Sequence, residues 1–170
     1  TNAINWIDGL DGLAAGNIAI SCIGIFIVGL NLNQTPALFF LSGIFGACIG
    51  FLRFNYNPAR ILMGDSGSYF LGSTISILTL IACSNNQLNL PDQVTITKLN
   101  YAIFLLLVPI VDMTYVILKR ILTGNSPFRP DRGHIHHQML RAGFKERQTV
   151  ELIYFFTFFF CIFPILAILK

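Results

Sequence analysis

Residues 57–72 read NPARILMGDSGSYFLG, a short polar turn that leads directly into a long apolar run. The turn places one carboxylate, Asp65, at the mouth of this run, and glycines at positions 64 and 67 let the backbone come close to a ligand. Two more polar clusters, residues 1–12 and 129–147, flank the other apolar runs. We expect the three polar segments to form one site on one side of the apolar part of the protein.

The apolar runs have the length that a lipid bilayer requires. The 170 residues are 54% hydrophobic and only 11% charged, with a mean hydropathy of +0.67, whereas soluble domains are about 25% charged. A spanning helix needs about 20 apolar residues. Runs of this kind cover residues 13–30, 36–52, 66–84, 101–118 and 150–169. We therefore predict an all-α, polytopic transmembrane helical bundle of about five spans, forming a single membrane domain over residues 1–170.

The basic residues are distributed unevenly between the two sides that these spans define. If each run crosses once, residues 1–12, 53–65 and 119–149 share one side. That side holds all of the eleven lysines and arginines except Lys98 and Lys170. The positive-inside rule places it in the cytoplasm. Its position against a bilayer favours anionic headgroups or phosphorylated substrates over nucleic acid as partners.

Residues 1–12 carry amide and acid side chains at strict intervals of three: Asn2, Asn5, Asp8 and Asp11. In a helix of about 3.6 residues per turn, side chains three positions apart point in directions that differ by about 60°. Neighbours can share a face, whereas Asn2 and Asp11 would point to opposite sides. We expect the helix to loosen at the glycines at positions 9 and 12, which would turn Asp11 back toward the other polar side chains. Helix capping by Asp8 or Asp11 is the alternative interpretation.

Histidine and basic side chains are concentrated in residues 127–147. They are Arg129, Arg132, His134, His136, His137, Arg141, Lys145 and Arg147. Three histidines within four positions suggest a metal site by spacing alone. The arginines would instead repel a cation and favour phosphate oxygens. The segment therefore favours anion binding, with a zinc-like site or a solvated basic face as alternatives.

Asp112 lies inside the fourth apolar run, shortly after Pro109. An ionisable group in a span costs about 2.5 to 3.5 kcal/mol on insertion scales, so it needs a partner. The proline can free a backbone carbonyl and bend the helix. Two interpretations of Asp112 stay open: it orients a basic residue of the following loop, or it makes a purely structural hydrogen bond.

Three motifs together resemble one enzyme family. They are NAINWIDGLDGLAAG at residues 2–16, NPARILMGDSGS at 57–68 and DRGHIHH at 131–137. Their order and sequence resemble the polyprenyl-phosphate N-acetylhexosamine-1-phosphate transferases of glycosyltransferase family 4. The HIHH form is similar to the branch that starts O-antigen, enterobacterial common antigen or teichoic acid linkage synthesis. The lipid I synthase branch usually has three adjacent histidines.

The resemblance implies transfer of an N-acetylhexosamine-1-phosphate, expected to be that of N-acetylglucosamine, from a UDP-sugar to undecaprenyl phosphate with release of UMP. It also implies a requirement for Mg²⁺, for which Mn²⁺ could substitute, held by Asp65 and Asn5. The positions that match catalytic ones are Asp65, Asp8, Asp11 and His136. Those that match substrate-binding ones are Asn2, Asp8, Asp11, Arg132, His134, His136 and His137.

Further expectations follow from the same resemblance. The protein is expected in the bacterial inner membrane, as a multi-pass protein whose active site faces the cytoplasm. Its partners would be the UDP-sugar, undecaprenyl phosphate, the membrane and a second copy of the chain in a homodimer, but no nucleic acid. A cation and basic groups suit this chemistry, because a diphosphate donor and a phosphate acceptor repel each other.

Two features of the chain depart from the family pattern. Relatives carry an Asp-Asp motif near the lipid phosphate, in a part of the chain that precedes this segment, and residues 1–170 contain no such pair. We therefore expect the chain to be the C-terminal part of a longer transferase. Leu62 stands where relatives often have phenylalanine. The alternative functions are a lipid I synthase-like phospho-MurNAc-pentapeptide transferase, an inactive truncated paralogue, and a transporter-like anion channel.

Overall fold

The computed structural model describes residues 1–83, 92–126 and 133–169, with the backbone alone for residues 92–98. Every regular element in these ranges is an α-helix, which confirms the predicted all-α class. The helices are α1 (Asn2–Ile7), α2 (Leu13–Asn31), α3 (Thr35–Asn55), α4 (Gly64–Cys83), α5 (Asp92–Leu105), α6 (Leu107–Leu122), α7 (Ile135–Arg141) and α8 (Glu146–Ile168).

Helix α2 forms the centre of the bundle. It packs against α3, α4 and α8, and Leu13, Ile18 and Ile25 are completely buried. A helix that is apolar on all sides needs such a central position. In contrast, α3 exposes Phe39 and Phe40, as is expected of a helix that faces lipid.

Among the described residues, α2, α3, α4 and α8 are each long and apolar enough to cross a membrane. Residues 99–105 and 107–122 would add a fifth span if this bent pair crosses as one unit. The predicted number of about five spans is therefore confirmed. The ends differ from the predicted ones by a few residues, as at α8, which begins at Glu146 and not at residue 150.

The bend that Pro109 predicts in the fourth apolar run is present, and it divides the run into two helices. The chain bends by 81° between α5 and α6, with the break at Leu106. Pro109 has no N–H to offer the carbonyl of Leu105, four residues earlier. The Ser21 hydroxyl of α2 donates to that carbonyl instead, at 3.0 Å. A side chain of the central helix thus replaces the bond that the proline removes.

The helix that contains the start of the fourth apolar run begins before the predicted start of that run at residue 101. Helix α5 begins at Asp92 and continues into the fourth apolar run. Residues 84–91 lie outside the described residues. Residues 92–100 are polar, so the apolar pattern did not indicate that the helix begins before the apolar run.

Candidate active site

The predicted polar segments meet around the turn at residues 8–12, close to the starts of α2, α4 and α7. Asn5 of α1 bonds the first turn of α4, and Gly9 lies against His136 of α7. The hydroxyl of Tyr154 in α8 donates to the carbonyl of Gly12 at 2.6 Å. Their predicted proximity is confirmed for the described parts of the three segments.

Asn5 and Asp65 form one corner of the site. The Asn5 amide donates to the Asp65 carboxylate at 2.9 Å and to the Ser68 hydroxyl at 3.0 Å. Gly64, the first residue of α4, has a φ of +68°, which a residue with a Cβ rarely adopts. This left-handed conformation starts the helix abruptly, so Asp65 lies in its first turn beside α1.

Asp8 places a second carboxyl group in the same cleft. The cleft has a volume of about 310 Å³, and Asn5, Asp8, Asp11 and Asp65 are among its lining residues. Burial, and to a smaller extent the nearby Asp65 carboxylate, raise the pKa of Asp8 to about 6. A bound cation would stabilise the ionised form of Asp8, which burial and the Asp65 carboxylate disfavour.

The donor set of this corner fits Mg²⁺. Magnesium prefers oxygen ligands and is commonly held by one or two carboxylates, with water and substrate phosphates completing its coordination. Asp65 and Asp8 supply carboxylate oxygens, and Asn5 supplies an amide. Within the described residues no three His, Cys, Asp or Glu side chains are close enough to hold a metal ion on their own. The zinc-like alternative for the histidines therefore has no support there.

Asp11 holds the loop that leads to Asp65. Its carboxylate accepts hydrogen bonds from the Ala59 backbone N–H at 2.9 Å and from the Asn57 side chain at 3.3 Å. The Asn57 amide also donates to Glu146 at the start of α8, at 2.9 Å. The Asp11 carboxylate thus bonds other groups of the same chain, although Asp11 also lines the cleft. Neither Asp8 nor Asp11 makes a side-chain cap of α1 or α2.

His134 is held by Asp112, the carboxylate of the broken span. One Asp112 oxygen lies 2.8 Å from His134 Nδ1, and the other accepts the Ile135 backbone N–H at 2.7 Å. Asp112 therefore contacts a histidine of the following loop and also makes a structural bond at the start of α7.

His136 is the most enclosed of the three histidines, at 1% exposure. Burial, and next the neighbouring His137, lower its pKa to about 4, although Asp112 acts in the opposite direction. Neither ring nitrogen has a hydrogen-bond partner among the described residues. A neutral imidazole can donate through one nitrogen only. His136 is therefore a buried, neutral imidazole with a single N–H at neutral pH.

The remaining predicted residues are placed differently. Asn2 lines a separate cleft of about 440 Å³, beside Ile75 of α4 and Pro109 of α6, so it is not brought to the Asp65 corner. The ring of His137 packs on His136 with centroids 4.2 Å apart, inside the histidine cluster. Arg132 lies outside the described residues, and its role stays a prediction.

The chain is similar in sequence to a known protein family and to curated proteins. The family model described as "Glycosyl transferase family 4" matches residues 1–83, which include the Asn5 and Asp65 corner. Residues 1–83 are therefore similar in sequence to glycosyl transferase family 4. The match extends through α4, and the curated relatives below cover most of the chain as well.

Three curated relatives show how far the similarity extends. A probable undecaprenyl-phosphate N-acetylglucosaminyl 1-phosphate transferase of Bacillus subtilis is 42% identical over 95% of this chain and 43% of its own length. A decaprenyl-phosphate N-acetylglucosaminephosphotransferase of Mycobacterium leprae is 36% identical over 90% of this chain and 42% of its own. An undecaprenyl-phosphate alpha-N-acetylglucosaminyl 1-phosphate transferase of Escherichia coli K12 is 33% identical over 89% and 41%. The chain thus spans about two-fifths of their length.

The sequence did not predict several residues of this site. Ser68 shares the Asn5 amide, and Trp6 lies between the His134 ring and the Arg120 guanidinium. An aromatic side chain within an amide ladder was the only available signal for Trp6. Its partners come from distant helices, so no spacing in the sequence predicts the contact.

Proposed function

We propose that the complete protein transfers N-acetylglucosamine-1-phosphate from UDP-N-acetylglucosamine to undecaprenyl phosphate and releases UMP. The observation that carries the proposal is the Asn5 to Asp65 hydrogen bond at 2.9 Å, with the Asp8 carboxyl in the same cleft and His136 packed against Gly9. Similarity to transferases of matching name supports the choice of donor and acceptor.

In the proposed reaction, an oxygen of the lipid phosphate forms a bond to the phosphorus that carries the sugar. The bond from that phosphorus to the bridging oxygen breaks, and UMP leaves with the electron pair. Mg²⁺ bound to Asp65 and Asn5 would supply positive charge for the phosphate oxygens. The chain's own groups orient the substrates: Asp11 fixes the loop before Asp65, and His134, His136 and Arg132 are assigned to the diphosphate.

The proposed site faces the cytoplasm of a bacterial inner membrane, where nucleotide sugars are available. Mn²⁺ can replace Mg²⁺ in this proposal because it takes the same oxygen ligands. The homodimer stays a prediction.

The test uses the complete gene product, purified in detergent, with UDP-N-acetylglucosamine and undecaprenyl phosphate. Replacing Asp65 by Asn removes a charge from the corner but keeps its shape. We expect Asp65→Asn to reduce Mg²⁺-dependent UMP release by about 10²-fold or more, the scale of a lost electrostatic group in an active site. Membrane insertion and yield should not change.

The matched control is Glu151→Gln, the same carboxylate-to-amide change on the exposed surface of α8. This variant should turn over within about twofold of wild type, because surface ion pairs contribute little. Unchanged turnover in Asp65→Asn would remove that residue from the site. Turnover of UDP-muramoyl-pentapeptide in preference to UDP-N-acetylglucosamine would move the protein to the lipid I synthase branch.

A further inference from the structure

The Asp112 carboxylate is 2% exposed, and each of its oxygens has a hydrogen-bond partner. His134 Nδ1 lies 2.8 Å from Oδ2, and the Ile135 N–H donates to Oδ1 at 2.7 Å. A carboxylate in an apolar helix is costly unless its acceptors are used. Both bonds go to the start of one short helix, so they fix that helix and not α6 itself.

Helix α7 depends on this carboxylate for its start. Its N-cap residue, His134, makes no side-chain cap bond of its own, and a helix of seven residues is marginal without external support. Asp112 accepts a hydrogen bond from the first backbone N–H of α7, as a capping side chain usually does. Because the same carboxylate also bonds the His134 ring, the backbone and the ring are held together.

His134 transmits this placement to the turn that carries the acids. Its ring lies parallel to His136 within 11°, with centroids 5.7 Å apart, and His136 packs against Gly9. The other side of His134 meets the edge of Trp6 at 5.7 Å. A continuous set of contacts therefore runs from α6 through two imidazoles to the turn between Asp8 and Asp11.

The bond to Asp112 also decides which His134 nitrogen is available. An ionised carboxylate accepts hydrogen bonds and donates none, so Nδ1 must carry the hydrogen. Nε2 is then the ring nitrogen left for a substrate. A carboxylate that sets the tautomer and orientation of a histidine is a known means of preparing that histidine for chemistry.

We propose that Asp112 is a positioning residue of the transferase: it holds His134 in one tautomer and keeps the His134 and His136 rings aligned against the turn at Gly9. This inference rests on the proposed function, because it gives those rings a phosphate to contact. The Asp112 carboxylate itself touches no substrate.

Kinetics of the complete gene product test this role. Asp112→Asn keeps the shape of the side chain, but its Nδ2 group donates and cannot accept, so only one of the two acceptor atoms remains. We expect kcat for UMP release to fall at least tenfold. The double variant with His134→Ala should be no slower than His134→Ala alone, because residues that act through one another are not additive. Multiplying effects would mean that Asp112 acts independently of His134, and wild-type kcat in Asp112→Asn would also overturn the proposal.

A matched control lies on the same helix. Thr114 of α6 is exposed and bonds its own helix, at 2.7 Å to the Ile110 carbonyl, so Thr114→Val should retain wild-type kcat. A second readout does not depend on turnover. Carbethoxylation of His134, followed by mass spectrometry, should be slow in wild type, where the residue is 7% exposed. It should be severalfold faster in Asp112→Asn.

The two readouts separate the inference from the proposed function. If wild-type protein releases no UMP, the proposed function fails, and the modification rate of His134 still decides whether Asp112 positions it. Equal rates of modification in wild type and Asp112→Asn would overturn the positioning role.

Discussion

Gly9 is the residue at which the histidine cluster contacts the turn between Asp8 and Asp11. A Cβ at this position would meet the His136 ring, including Cε1 at 3.0 Å. We expect Gly9→Ala to lower UMP release by about tenfold or more, because a displacement of about 1 Å in a site can cost 10²-fold. The control is Gly46→Ala, whose Cβ would meet nothing within 4 Å among the described residues. A wild-type rate for Gly9→Ala would show that the close contact is unimportant.

His136 should make the folded protein less stable in acid. Its pKa is about 4 in the folded protein against 6.5 for a free histidine, so the unfolded chain binds more protons between these values. The contribution of His136 to the free energy of unfolding is fully present above pH 6.5 and decreases as the pH falls towards 4. We expect the thermal midpoint in detergent to fall by less between pH 7 and pH 5 in His136→Asn than in wild type. Equal decreases would contradict the neutral, buried state.

Some of these residues could be predicted from the sequence, and others could not. Asn5 and Asp65 belong to motifs with recognisable residue types, and they do lie together. Asp11 also matched a motif, but only the structure shows its bonds to Asn57 and Ala59. Loop contacts of this kind depend on how the chain folds back, which local spacing does not encode.

At the scale of helices, Ser21 supports the break between α5 and α6. Its hydroxyl donates to the Leu105 carbonyl. Pro109 has no N–H and cannot form that hydrogen bond. Replacing Ser21 by Ala leaves that carbonyl without its bond in a buried apolar region, at a cost of about 1 kcal/mol. We expect a lower thermal midpoint for Ser21→Ala, measured in detergent. Ser42→Ala is the control, since the Ser42 hydroxyl bonds its own helix, at 2.8 Å to the Phe39 carbonyl. An unchanged midpoint for both variants would contradict the idea that Ser21 stabilises the break.

The break illustrates what apolar periodicity can predict about an element. Length and hydropathy located the fourth run, and Pro109 indicated a bend. The 81° angle depends on Ser21 of another helix, which no local pattern identifies. For α2, α3, α4 and α8 the predicted and observed ends agree within a few residues.

At the scale of the whole molecule, the three polar segments lie together only if an even number of membrane crossings separates each from the next. The start of α4 contacts α1, and the start of α7 contacts the turn after α1, so all three segments share one end of the bundle. Hydropathy and the distribution of basic residues were sufficient to predict this, because both constraints act along the entire chain. The sequence could not predict which side chains would touch at that end.

Cysteine accessibility in intact cells tests this topology. The native cysteines Cys22, Cys48, Cys83 and Cys161 are all buried, so they should react slowly with an impermeant maleimide. We expect Asn33→Cys, in the exposed turn between α2 and α3, to be labelled from outside. Lys145→Cys, exposed just before α8, should be labelled only after the membrane is permeabilised, because it lies beside the histidine helix, on the side that we propose to be cytoplasmic. Labelling of both positions from outside, or of Lys145→Cys alone, would place the aspartates and histidines away from cytoplasmic nucleotide sugars and exclude the proposed transfer.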